Sequence, residues 1–127
     1  MTQIMLEHVN ITVPNPHKTA KMLGDLFGWR IRWEGAGMMG GYTVHCGDDA
    51  QYIALYAPED SSTAGNARYS GSGNLNHIGI VVADLEAIET KVKALGFTPV
   101  NHGDYEPGRR FYFVDRESVE YEIIAYD

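Results

Sequence analysis

Asn76-His77-Ile78-Gly79-Ile80-Val81-Val82 nearly repeats Glu7-His8-Val9-Asn10-Ile11-Thr12-Val13, and each stretch puts a histidine at its head. Alternation of apolar with other residues marks a strand that buries one face. Val9, Ile11 and Val13 take that face in the first copy and Ile78, Ile80 and Val82 in the second. His8, Asn10 and Thr12, and His77, Gly79 and Val81, are left on the opposite side.

The residues C-terminal to each stretch repeat as well. After Pro14, Asn15-Pro16 reads as a helix start, because Asn accepts a free backbone N–H and proline suits the first helical position. Ala20, Leu23, Leu26 and Phe27 recur at helical spacing until Gly28. Trp29 to Trp33, Gly41 to Cys46 and Gln51 to Tyr56 read as strands, with Gly35 to Gly40 and the Asp48-Asp49 turn between them. In the second copy Asp84 caps a helix carrying Leu85, Ile88, Val92 and Leu95 on one face up to Gly96, and Phe97 to Val100, Arg110 to Val114 and Val119 to Tyr126 are the strands. An offset of 69 carries His8 onto His77. An offset of 68 carries Gly28 onto Gly96, Trp29 onto Phe97, Asp48-Asp49 onto Arg116-Glu117, His45 onto Phe113 and Ala54 onto Glu122. The expected fold is α+β, two βαβββ modules in one domain over 1–127. The modules occupy about 1–57 and 74–127 and are joined by a Ser/Gly/Asp/Pro-rich linker or mobile loop, 58–73.

Composition narrows the function. With 44% hydrophobic and 21% charged residues in 127, the chain is long enough for a real core. A net charge of −7 disfavours nucleic acid and anionic membranes and favours a small-molecule partner. No run approaches the length of a membrane span, no secretory leader is legible, and the single cysteine, Cys46, fits a reducing compartment, so a cytoplasmic location is expected.

Together, His8 opening the first strand, the helix end Gly24-Asp25-Leu26-Phe27-Gly28-Trp29, His77 opening the second module, and Phe111-Tyr112-Phe113-Val114-Asp115 leading into Tyr121-Glu122-Ile123 resemble the vicinal oxygen chelate proteins, the glyoxalase/bleomycin-resistance/dioxygenase superfamily. The resemblance covers essentially the whole chain. It implies paired βαβββ modules whose sheets cup a site, and in many such proteins a homodimer in which modules of opposite subunits complete it.

Strand parity, read without the family, puts His8, His77 and Glu122 on site-facing sides together with Asn10, Tyr52, Ala54, Tyr56, Glu120, Ile124 and Tyr126. Two imidazoles and a carboxylate form a facial donor set that leaves coordination positions open, suited to one divalent ion such as Fe, Mn, Zn, Ni or Co. The resemblance implies ligands at positions 8, 54, 77 and 122. Ala54 cannot be one, which departs from the four-ligand pattern of glyoxalase I and leaves a site closer to fosfomycin-resistance enzymes and extradiol dioxygenases.

Glu120 shares the face of Glu122 and reads as a solvated or outer carboxylate and a candidate base. Asn10, Tyr52 and Tyr56 are placed to orient substrate. Tyr105, Arg109 and Arg110 fall in or beside a Gly/Pro-containing loop where an arginine would suit a carboxylate or phosphonate. His17 and His102 read as surface residues and His45 as structural. The leading expectation is a divalent-metal lyase or isomerase, or a ring-cleaving dioxygenase, acting on vicinal oxygens. The alternatives are a metal-free binder of the bleomycin-resistance kind and a fosfomycin-type thiol transferase, whose usual hydroxyl residue two after the first histidine is here Asn10.

Overall fold

The first helix, α1 (Pro16–Phe27), begins where the side chain of Asn15 accepts the Lys18 N–H at 3.2 Å, and ends at Gly28, whose φ of 73° lets its N–H return to the Gly24 carbonyl. This computed structural model describes residues 4–60, 69 and 71–126. Of the expected connection 58–73, residues 61–68 and 70 lie outside the described residues. The chain divides into two compact units, Met1–Thr63 and Ala64–Asp127.

In the first unit β1 (His8–Thr12), β2 (Arg30–Ala36), β3 (Tyr42–Gly47) and β4 (Tyr52–Ala57) form one sheet in the order β1-β4-β3-β2. β1 runs parallel to β4 and the other pairs are antiparallel. A short 3-10 turn, Met38–Gly40, follows β2. Thr19, Ala20, Leu23 and Leu26 line the buried side of α1 and pack toward β3 and β4. Val13, Val44, Cys46, Ile53 and Leu55 are buried beneath them. Burying each large aliphatic side chain contributes about 1.5–3 kcal/mol, so this face holds the unit together.

The second unit repeats the plan. β5 (Ile78–Val81), β6 (Val100–Tyr105), β7 (Gly108–Val114) and β8 (Glu120–Ala125) take the order β5-β8-β7-β6, with β5 parallel to β8. α2 (Leu85–Ala94) is capped by Asp84, which accepts the Ala87 N–H at 3.0 Å. It packs toward β8 and β7 through its own Val92, over Phe111, Phe113, Tyr121 and Ile123, all fully buried. The expected α+β fold of two βαβββ modules is the fold observed.

Two expectations fail locally. β6 is not Phe97 to Val100 but the polar run Val100–Tyr105, which forms the sheet edge and therefore needs no buried face. Tyr105 pairs with Gly108 across a two-residue turn, so the expected loop shrinks to Glu106-Pro107, and Arg109 joins Arg110, already read as the start of a strand, in β7.

The repeat also slips within β3 and β7. His45 stands opposite Ala54 and Tyr112 opposite Glu122, so the counterpart of His45 is Tyr112 and not Phe113. The turn 115–119 has one residue more than 48–51. Asp48, not paired with Arg116 as the sequence suggested, therefore corresponds to Asp115. Each of these aspartates uses Oδ1 to accept two backbone N–H groups of its own turn, from Ala50 and Gln51 and from Glu117 and Val119.

Candidate functional site

On the face of the second sheet turned away from α2, the Nε2 of His77 stands 3.2 Å from Oε1 of Glu122. Glu122 pairs with Gly79 of β5 and Tyr112 of β7, so three strands converge on it. Its other oxygen accepts from Arg110 Nη1 at 2.8 Å, and both side chains are nearly buried, 12% and 10% exposed. Arg110 also donates to the Gly108 carbonyl and lies 4.6 Å over the Tyr105 ring. Its planar fork thus fixes Glu122 by one oxygen and leaves Oε1 toward His77. Tyr112 meets the His77 ring edge-on at 5.5 Å. Burial and the Glu122 carboxylate hold its phenol above the ordinary value. His77 Nδ1 is buried with no hydrogen-bond partner among the described residues, so only the Glu122 side fixes the ring chemically.

Gly79 faces the same way as His77. A Cβ there would come no closer than 3.8 Å to Glu122 Oε1, so the absence of a side chain keeps the approach to the pair open. Glu120, read as either solvated or an outer carboxylate, is not solvated: it is buried at 6% exposure opposite Val114.

In the first unit a row of rings crosses all four strands. His8 stacks on Tyr52 at 4.6 Å, Tyr52 on His45 at 4.4 Å, and His45 meets Trp33 at 5.0 Å. Those separations are the spacing of neighbouring strands, so the rings stand side by side with their edges outward. His8 Nδ1 lies 2.9 Å from Glu7 Oε1, which holds the ring from that side and leaves Nε2 as the outward nitrogen. Asn10 is exposed beside it. Tyr56 gives its hydroxyl to the Met38 carbonyl at 2.7 Å and so anchors the 3-10 turn. Ala54 is buried at 2% exposure where its counterpart Glu122 carries a carboxylate.

A family model described as Glyoxalase/Bleomycin resistance protein/Dioxygenase superfamily matches residues 7–113. The chain belongs to that superfamily.

Among solved structures, the glyoxylase/bleomycin resistance protein/dioxygenase domain from Frankia sp. EAN1pec superposes with a TM-score of 0.83 at 16% identity, covering 99% of this chain and 100% of that one. The glyoxalase family protein from Enterococcus faecalis gives 0.74 at 13% identity, with 96% of each chain covered. The fosfomycin resistance protein FosX from Listeria monocytogenes, complexed with Mn(II) and sulfate, gives 0.71 at 17%, covering 99% and 95%. These likenesses are of fold. No curated protein matches the sequence.

A divalent ion of the kind bound by that superfamily member can be tested against the residues present. Two donors each about 2.1 Å from one ion and at right angles are roughly 3.0 Å apart, and His77 Nε2 and Glu122 Oε1 are separated by 3.2 Å. The pair fits adjacent coordination positions. Among the described residues no three His, Cys, Asp or Glu side chains of the chain gather into one group. Sequence reasoning did not place Tyr112 beside His77, and it read His45, a member of the ring row, as structural. Counting the register of β3 and β7 from their aspartate turns would have placed Tyr112 and His45 correctly.

Proposed function

We propose that this superfamily member is a divalent-metal enzyme acting on a small substrate with vicinal oxygens, by lyase or isomerase chemistry in preference to ring-cleaving oxygenation. The reading is carried by the 3.2 Å separation of His77 Nε2 and Glu122 Oε1, beside a glycine that keeps the approach open. His77 and Glu122 would hold the ion, with His8 as third donor through Nε2. His8 lies in the first unit and His77 and Glu122 in the second, and we assign their union to a homodimer in which the units of two copies meet. When bound, the ion supplies Lewis acidity toward the substrate oxygens.

The chain's own residues do the rest. Arg110 holds Glu122 in place, and Tyr112 buttresses His77. Asn10, Tyr52 and Tyr105 orient the substrate, while the buried carboxylate of Glu120 is a candidate proton acceptor. The phenol of Tyr56 is committed to the Met38 carbonyl, so its role is to set the turn.

The experiment is a titration of metal-stripped protein with Mn(II), followed by calorimetry and sedimentation. One ion per chain in a dimer is expected, with His8→Ala, His77→Ala and Glu122→Gln each weakening binding at least about tenfold. Substoichiometric metal that none of the three variants alters would put the metal-free binder ahead. A monomer that binds Mn(II) fully would remove the dimer.

A further inference from the structure

Arg32 is an arginine of the first unit without a carboxylate partner among the described residues, whereas Arg30 pairs with Asp49, Arg109 with Glu86 and Arg110 with Glu122. It is nevertheless held. Nη1 donates to the Asp48 carbonyl at 2.9 Å, and the guanidinium lies 4.6 Å over the ring of Tyr52. The register of β2 on β3 slips between Ile31, opposite Cys46, and Trp33, opposite His45. Arg32 is the inserted residue of that bulge. In a regular strand Arg32 and Trp33 would point to opposite faces, but here both reach the ring row, Arg32 at Tyr52 and Trp33 at His45. The bulge has aimed a cation onto the face that carries His8.

His45 is the second uncommitted group. Its ring is held between Tyr52 and Trp33, yet neither nitrogen has a hydrogen-bond partner among the described residues. Burial, then the charges of His8 and Arg32, hold the imidazole below its ordinary value, against the opposing pull of Glu7. Asp48, whose carbonyl Arg32 meets, turns its carboxylate to its own turn N–H groups. A chain of net charge −7 repels anions over most of its surface, so a fixed guanidinium beside an open imidazole is a selective place for one.

We infer that Arg32 and His45 form a binding site for the oxyanion end, carboxylate or phosphonate, of a small ligand. Arg32 supplies the charge and part of its donor fork, and His45 a donor whose proton uptake the anion favours. As the anionic end of the substrate of a metal enzyme, the site rests on the proposed function; as an anion site it stands without it.

The test uses metal-stripped protein titrated separately with benzoate and phenylphosphonate, followed by the NMR shifts of the Trp33 indole N–H and the His45 ring. The expected result is saturable shifts at both residues, weakened about tenfold or more by Arg32→Gln, less by Arg32→Lys, and unchanged by Arg116→Gln in the exposed turn. A response to benzoate alone assigns a carboxylate ligand and one to phenylphosphonate alone a phosphonate. Benzoate affinity rises as pH falls from about 7.5 to 5, a range that reaches below the ordinary imidazole value because His45 is shifted down. Protonated His45 binds the anion better, and His45→Gln flattens that dependence. No shift with either probe, or equal affinity in folded Arg32→Gln or Arg32→Lys, overturns the site. A flat pH profile in the unsubstituted protein removes His45 from it. Anion binding without any Mn(II) binding keeps this site and sinks the metal enzyme, and the converse result does the opposite.

Discussion

Oε2 of Glu122 accepts from Nη1 of Arg110 at 2.8 Å, with both side chains nearly out of solvent. An ion pair so placed is stabilising only while both partners are present, because a lone charge there has lost its water without compensation. Arg110→Met should therefore lower the melting temperature of the apo protein and weaken Mn(II) binding about 10- to 100-fold, as loss of a group that orients a ligand does. Adding Glu122→Met should recover much of the lost stability but none of the binding. A double-mutant cycle by thermal unfolding checks this. An Arg110→Met protein as stable and as tight as the parent would mean that the pair holds nothing.

Gly79 offers a second handle on the same carboxylate. A Cβ at this position meets Glu122 Oε1 only at ordinary van der Waals distance, so Gly79→Ala should fold and bind metal much as the parent does. Gly79→Leu projects bulk between His77 and Glu122 from an exposed position. It should cut Mn(II) affinity by about tenfold or more while changing the unfolding midpoint little. Calorimetric titration of both variants distinguishes an open approach from an incidental glycine.

Parity along the strands made the helix-facing and site-facing residues legible, since Ile11, Val13, Ile53 and Leu55 in one unit and Tyr121 and Ile123 in the other had to be buried under their own helices. That parity, in the sequence alone, also put His77 and Glu122 on one face. Three kinds of information were not periodic and so were lost. The polar edge strand Val100–Tyr105 has no apolar alternation to betray it, and reading it as a loop put Tyr105 there in place of a strand end. The extra residue in the turn 115–119 shifted the alignment by one and disguised His45 as a counterpart of buried Phe113. The bulge that turns Arg32 onto Tyr52 depends on pairing with β3, which no single strand encodes.

Cys46 lies wholly buried beneath α1, its Sγ 3.8 Å from the Ala20 carbonyl, and burial pushes its thiol up to about 11. Both access and thiolate are lacking at neutral pH. Ellman's reagent should leave the native protein essentially unmodified and react with one thiol per chain in denaturant, at a rate in native buffer no faster than global or local opening. A rapid reaction with folded protein would place Cys46 outside the core.

The paired turn aspartates should titrate with opposite effects on stability. At Asp48 the Ala50 N–H, then other turn donors, hold the carboxyl below its ordinary value, so the unfolded chain binds the proton more readily. Its contribution is full above the unfolded value and is lost as pH falls through the folded one. At Asp115 burial outweighs the Val119, Glu117 and Tyr121 hydrogen bonds and raises the carboxyl, so the folded state binds the proton more readily. Its contribution is full below the unfolded value and declines as pH rises through the raised folded one. Urea unfolding between about pH 3 and 7 should show the parent gaining stability over Asp48→Asn with rising pH, and losing it relative to Asp115→Asn. Asp115→Ala, which takes the buried acceptor from two backbone donors, should cost about 1–3 kcal/mol. Parallel slopes for the two Asn variants would show that the turns, though built alike, do not differ in burial as the sheet packing requires.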